Sequence, residues 1–469
     1  MTTTAQDTRT ETDSLGPRAL PADALYGAHA DRSRENFAAF AAFPLPQAVY
    51  RAMALLKKAC ATANERLGDL PAPLAKAIRD ACDEVLSGAH AADLALPFLQ
   101  AGSGTSANMA LNEVLANLAN RALGEPLGTK RPVHPNDHVN MGQSTNNVFP
   151  SAAKLATLGA AGALKAAAKA LADALAAKAD EFADVLKSGR THLQDAVPVT
   201  LGQEFHAYST AVARDIARLD AVLPRLRQLG IGGNAVGTGI NTRPAFRAEI
   251  VRALNELLPM PGAPFEVAAD GIYATQFLTD FADYMGAVRA LALDVQVIAN
   301  DLRLLASGPR TGLGEIALPA VEPGSSIMPG KINPSICEAA NMACIQVQGL
   351  DHAVSLACGA AQLELNTHMP LIAADAVAAT DLLAAACQTL AEKCIAGISA
   401  RRDVCARHLE ESAGLPTLLN PVLGYDRVAA LVKESLATGK TLKALVLEKG
   451  LLDEAAYADL LAHSTAPNR

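Results

Sequence analysis

Two serine hydroxyls, a lysine and an amide lie close together in the stretch Gly324-Ser325-Ser326-Ile327-Met328-Pro329-Gly330-Lys331-Ile332-Asn333-Pro334. Prolines 323, 329 and 334 and the two glycines rule out a regular element there, so these groups sit on a loop. Lys331 can meet a carboxylate, and Asn333 can both donate and accept. A second stretch, Gly102-Ser103-Gly104-Thr105-Ser106-Ala107-Asn108-Met109, sets hydroxyls at the start of a helical pattern. Free backbone N–H groups there make an anion site, although Ser and Thr also serve as ordinary N-caps. A third runs from His134 to Asn147 and ends in Ser144-Thr145-Asn146-Asn147, neutral side chains able to wrap a small polyanion. A fourth, Ser188 to Pro198, holds His192 beside Thr191 in a loop expected between two helices, placed to orient a carboxylate or a proton.

Together these groups suit one chemistry. Removing a proton next to a carboxylate builds an enediolate, whose charge must be spread over fixed donors while a base takes the proton. No cofactor and no metal is expected. His134 and His138 stand four apart, which also suits a metal, but that needs a helix and a third ligand, and Pro135 argues against it. The glycine-rich run 230–239 has no expected strand before it, so it reads as a helix–helix turn rather than a phosphate cradle.

The elements that must carry these stretches are helices. The chain has 469 residues, 50% of them hydrophobic, with 4% aromatic and no Trp. Much of the hydrophobic share is alanine, the best helix former, so an all-α fold is expected. Helical patterns fall at about 46–66, 72–87 and 105–122, then five long ones at about 149–187, 200–229, 271–307, 335–365 and 370–396. A helix of ~30 residues is ~45 Å long, and one protomer cannot cover an apolar stripe of that length, so an oligomer is expected. Residues 1–14 read as a disordered arm, 15–145 as an N-terminal domain, 146–396 as a central bundle and 397–469 as a small C-terminal helical domain. There, Thr441 is a candidate N-cap and Gly450 a C-cap.

The net charge of −8 comes with no basic block, which argues against nucleic acid. No run looks apolar enough to span a membrane. The eight cysteines form no C-x-x-C pair and read as free, buried thiols of a cytoplasmic protein.

The four stretches, in this order and over about residues 9–453, resemble the fumarase/aspartase superfamily, whose members eliminate a group β to a carboxylate and release fumarate. The resemblance implies a three-domain lyase whose central helices assemble into a homotetrameric multi-helix core, with each active site built from three chains. It implies that Ser325 is the general base, with Lys331 and His192 as the other catalytic candidates. Lys331 and Asn333 would bind one carboxylate of a small dicarboxylate substrate. Thr105, Ser144, Thr145 and Asn146 would hold the other carboxylate and the leaving group. Thr191 and His192 would reach the substrate from a neighbouring chain, Ser106, Asn108 and Ser326 complete the binding set, and Glu338 would support the loop. A serine base needs its oxyanion stabilised, for which backbone N–H groups of the loop are the expected means.

Within the superfamily, Tyr26-Gly27-Ala28-His29-Ala30-Asp31-Arg32 and the run Leu445 to Leu452 look closer to aspartases, as do Leu193, Ala274-Thr275-Gln276 and Glu392-Lys393-Cys394-Ile395. Deamination of L-aspartate is therefore the implied reaction, with malate dehydration by a class II fumarase, or a lyase for another amino-dicarboxylate, as alternatives. Three positions depart from the family pattern: Asn147 stands for a usual Asp, Ala110 for Asn and Gly142 for Ser. The missing charge at Asn147 is expected to bear on substrate preference.

Overall fold

The computed structural model describes residues 7–259 and 262–465. The protein is all-α, with short paired strands between helices. The long alanine-rich patterns become the helices Thr145–Glu181, Leu201–Val222, Thr279–Leu305, Ser335–Gly359 and Met369–Lys393. The first has 37 residues, about 55 Å at 1.5 Å per residue.

Several ends differ from the sequence pattern for local reasons. The 149–187 pattern stops at Glu181 because Leu186–Thr191 leaves as a strand. The 200–229 pattern tightens into a 3-10 turn over Leu223–Arg227, where Pro224 lacks an N–H to continue an α-helix. The 271–307 pattern breaks at Phe277, whose backbone is extended, into Gly271–Gln276 and Thr279–Leu305.

The chain divides into two compact units, each drawn from three stretches. One holds the described residues of Met1–Leu164, with Ala217–Ala290 and Gln346–Leu383. In it, helix Gln47–Arg66 packs against Ala72–Leu86, Thr105–Ala122 and Phe246–Leu257. Its apolar stripe Val49, Met53, Leu56 and Cys60 is fully buried. Polar ties inside this unit include Lys154 to Asp280 at 2.7 Å and the Tyr284 and Thr380 hydroxyls at 2.9 Å.

Residues 8–13, expected within a disordered arm, instead form a strand paired antiparallel with Gly16–Pro21. Arg32 binds Asp13 at 2.9 Å, and Arg9 reaches the Pro21 and Tyr26 carbonyls, which pins the hairpin to the following helix, Ala28–Asn36. Residues 1–6 of the expected arm lie outside the described residues.

The second unit holds Lys165–Ile216, Leu291–Ile345 and the described residues of Ala384–Arg469. It contains the hairpin Leu186–Thr191 with Gln194–Thr200. It ends in short helices packed around Leu409, Leu419, Leu431, Leu445, Val446 and Tyr457. Thr441 caps Leu442–Glu448 by accepting from the Ala444 N–H, and Gly450 has the positive φ, +61°, expected after the helix.

Contrary to the sequence reading, Thr145–Glu181 and Met369–Gly397 are long and apolar enough, by length and composition alone, to cross a membrane. Half or more of each apolar window, 50% and 61%, is buried inside the fold, as core helices require.

Candidate active site

The carboxylate-binding candidates of the first unit are locked by side chains from different elements. Helix Thr105–Ala122 starts after Gly104, whose φ is +83°. A Cβ there would lie 2.1 Å from the Phe149 ring, so glycine alone lets the helix start approach it. The Thr105 hydroxyl bonds Ser103 at 2.8 Å. The Ala107 N–H donates to Gln100 Oε1, so one first-turn donor is already taken. Asn108 is fully buried, and its Nδ2 donates to Thr145 Oγ1 at 2.9 Å. Ser106 is also buried. Both were expected to bind substrate; in the structure the buried Asn108 amide holds the Thr145 hydroxyl.

Ser144 accepts from the Asn146 N–H at 3.3 Å just before helix Thr145–Glu181. Asn146 donates its Nδ2 to the Ala235 carbonyl at 2.9 Å. That bond orients the amide and leaves its oxygen as the acceptor end. Ala235 belongs to the glycine-rich run set aside as a helix–helix turn. The run in fact follows a strand, Gln228–Leu229, paired with Glu266–Val267. A two-residue strand is too short to leave a period in the sequence.

All three departures from the family pattern have a packing reason. Asn147 is fully buried and donates to Thr275 Oγ1 at 2.7 Å, while the Thr275 hydroxyl donates to the Gly271 carbonyl. One hydroxyl proton cannot serve both a carbonyl and a carboxylate, so a neutral amide fits this position and an aspartate would not. Ala110 is fully buried in a small apolar cluster with Ala30 and Leu96. Gly142 has φ +67°, and a Cβ would meet the Phe246 ring at 2.7 Å.

One group of this unit was missed. Lys57 is fully buried and donates to Asn140 Oδ1 at 2.7 Å, and Asn108 Nδ2 lies 3.4 Å from the same oxygen. Burial pushes the Lys57 pKa down to about 7. A signal existed, because Lys57 follows Met53 by four and precedes Cys60 by three, on the apolar stripe of its helix. His134 and His138 flank a π-helical turn, Pro135–Val139, rather than an α-helix. The His138 Nδ1 accepts from the His134 N–H, and the His134 Nδ1 accepts from the Asn136 and Asp137 N–H groups. No cluster of three or more metal-ligand side chains occurs among the described residues.

In the second unit, the loop with Ser325 closes on its own backbone. The Gly324 N–H donates to the Lys331 carbonyl at 2.9 Å, and Asn333 Nδ2 donates to the Gly324 carbonyl at 2.7 Å. A Cβ on Gly324 would come within 2.5 Å of the Lys331 oxygen, so glycine is required. Ser325 Oγ accepts from the Ile327 N–H at 3.2 Å and the Met328 N–H at 3.1 Å. Two donors aimed at one hydroxyl oxygen favour its ionised form. Ser326, Ile327 and Lys331 are exposed. Lys331, Asn333, Glu338 and Arg303 line one cavity of about 910 Å³, and Glu338 stands 3.7 Å from Arg303.

Thr191 and His192 are not in a helix–helix loop but at the tip of a β-hairpin, with Thr191 opposite Gln194. His192 and Leu193 both have φ +57°. Such a two-residue turn favours Asn-Gly, and each L side chain held there costs roughly 1–2 kcal/mol. Strain of this kind persists where the surroundings enforce it, and the hairpin base does so. Glu315 is fully buried and binds Arg190 at 2.6 Å, Lys187 at 3.0 Å and His408 at 3.0 Å. Burial alone would raise the Glu315 pKa, but the Arg190 hydrogen bond and the Lys187 charge outweigh it and hold it at about 2. Sequence reasoning missed Glu315, because nothing near it in the chain marks it.

The family model described as Lyase matches residues 16–349, and the one described as Fumarase C C-terminus matches residues 415–464. Fumarate hydratase class II 1 of Pseudomonas aeruginosa is 44% identical over 450 residues, 96% of each chain. Aspartate ammonia-lyase of the same species is 44% identical over 457 residues, 97% of this chain and 95% of its own. The crystal structure of a Brucella melitensis fumarate lyase:delta crystallin bound to cobalt matches with a TM-score of 0.93 and 44% identity, covering 98% of this chain and 99% of that one. The chain belongs to the fumarase/aspartase superfamily of lyases. Equal identity to a hydratase and an ammonia-lyase leaves the leaving group to be argued from the site.

Proposed function

We propose that this lyase is an aspartate ammonia-lyase, converting L-aspartate reversibly to fumarate and ammonia. The observation that carries the choice is the Asn146 amide. Its nitrogen is held by Ala235, so its oxygen is the end offered to a ligand. An ammonium is donor-only and needs such acceptors.

In the proposed reaction, ionised Ser325 takes the proton from the carbon next to one carboxylate. Lys331 and Asn333 hold that carboxylate and stabilise the enediolate. The bond from the neighbouring carbon to nitrogen then breaks, and ammonia leaves. Thr105, Ser144, Thr145 and Asn146 hold the second carboxylate and the leaving group, and Thr191 and His192 complete the site. The loop N–H donors to Ser325 supply the electrostatic help that a serine base requires.

The working form is a homotetramer with sites shared between chains, organised in the three domains 15–145, 146–396 and 397–469. Its support is the apolar surface on the long helices, where Val297 is 55% exposed, Met342 66% and Leu356 64%. Mixing an inactive His192 variant with an inactive Lys331 variant restores part of the activity after subunit exchange; no recovery despite exchange means that each site belongs to one chain. The protein is placed in the cytoplasm, where free buried thiols stay reduced. Recovery from an oxidising compartment overturns that placement.

Class II fumarase is the second reading, favoured by relatives that carry that name. The deciding assay is fumarate release, followed by ultraviolet absorbance, from L-aspartate and L-malate at matched concentration. Faster release from malate establishes the fumarase. Release from neither points to another amino-dicarboxylate.

A further inference from the structure

Cys337 lies three residues beyond Pro334, in the first turn of helix Ser335–Gly359, directly after the Ser325 loop. Cys394 lies just past the end of helix Met369–Lys393. Both thiols are buried, at 0% and 2% exposure, and their sulfurs are 3.6 Å apart. A disulfide needs about 2.05 Å, so the two sulfurs must close by about 1.5 Å. A crevice of about 10 Å³ touches both cysteines and is also lined by Asn333, Pro334, Val321 and Lys393, the last two exposed. That is room for about one water, so the crevice shuts out a bulky disulfide and leaves a way in only to the smallest oxidants.

We propose that Cys337 and Cys394 are an oxidation site, forming a reversible disulfide with hydrogen peroxide that disables the Ser325 loop. The second half of this proposal rests on the role given to that loop above; the first half does not. The hydrogen bond shared with Cys394, in which either thiol can donate, and the nearby Arg303 guanidinium hold the Cys337 thiol below its usual range. The other seven cysteines are pushed up: Cys394 chiefly by that same bond, and the rest by burial, Cys60, Cys344 and Cys358 to about 12. The thiolate is the form that reacts.

The steps balance. Cys337 Sγ attacks one peroxide oxygen; the S–O bond forms, the O–O bond breaks, and hydroxide leaves as water with the thiol proton. Cys394 Sγ then attacks the Cys337 sulfur; the S–S bond forms, the S–O bond breaks, and the second oxygen leaves as water with the Cys394 proton. Two thiols lose two electrons and peroxide becomes two waters. The bond ties the start of the Ser335–Gly359 helix to Cys394 and draws on Asn333 and Glu338 beside it. A misplacement near 1 Å can cost about 100-fold in rate.

The test treats the full chain with hydrogen peroxide and maps its peptides without reduction. The expected result is a linked pair of peptides carrying Cys337 and Cys394, a fall in free thiols from eight to six, and a loss of fumarate release of about 100-fold that dithiothreitol restores. Cys394→Ala should lose the link and keep its activity under peroxide, while dimedone traps Cys337 as a sulfenic acid; Cys60→Ala should behave as the unaltered chain. The map needs no variant, so a misfolded substitution leaves the test intact. No linked peptide overturns the oxidation site. A link with unchanged turnover overturns its coupling to the loop. An untreated chain with no turnover on any fumarate-forming substrate counts against the proposed function instead, and the peptide map still decides the link.

Discussion

The Thr105–Asn146 group and the Ser325 loop are held in opposite ways. The first is fixed by side chains from separate elements: Asn108 on Thr145, Lys57 on Asn140, Asn146 on the Ala235 carbonyl. Several of these groups have no exposed surface, and each loses much if a partner is removed. The second is an exposed loop whose bonds are local, Gly324 to Lys331 and Asn333 to Gly324. The hairpin of His192 combines the two, an exposed strained tip on a base of buried charge. The Thr105–Asn146 group is thus preorganised at the expense of tolerance, and the Ser325 loop can change without disturbing the core.

The largest expected effect falls on the loop and on rate alone. Ser325→Ala should lower turnover by about 10³–10⁴-fold, with thermal stability unchanged. Near-normal turnover removes Ser325 from the mechanism, and a large stability loss breaks the contrast between loop and core.

Glu315→Gln should do the reverse at the hairpin base. Leaving Arg190 without its buried carboxylate, and Lys187 with Glu204 alone, costs roughly 3–5 kcal/mol, read by denaturant unfolding. Glu315 has its pKa lowered by folding, so it stabilises the fold above its unfolded value of 4.5 and that stability fades as pH falls toward about 2. In the variant this acid-limb loss should be missing. An unchanged midpoint and acid limb would show that the buried cluster does not hold the hairpin.

A smaller loss is expected from Asn147→Asp, although it restores the residue usual in the family. The Thr275 hydroxyl then lacks a proton for one of its two acceptors, a cost of about 1–3 kcal/mol. A stabilised variant would refute the buried-amide account, and a switch in preferred substrate would give Asn147 a direct role in specificity.

The last effect is a slope. Lys57 has its pKa lowered by folding from 10.5 to about 7. Between these values the unfolded chain holds the extra proton, so stability rises with pH over that window. Lys57→Met should flatten the rise. A slope equal to the parent's would assign it to another group.

The sequence by itself determined the class of fold, the family and the chemistry-bearing stretches, because alanine-rich helical periods and contiguous loop motifs are written locally. The Ser325 segment was legible as a loop from its glycines and prolines, while the Ile327 and Met328 N–H groups that reach Ser325 appear only in the structure. Tertiary structure alone decided what holds the Thr145 hydroxyl, why Asn147 is an amide, and that His192 rides a hairpin over Glu315. Those facts depend on residues far apart in the chain, 37 between Asn108 and Thr145, 128 between Asn147 and Thr275 and 125 between Arg190 and Glu315. A buried hydrogen bond or charge pair leaves no period along the sequence; it exists only when packing removes water from both partners at once.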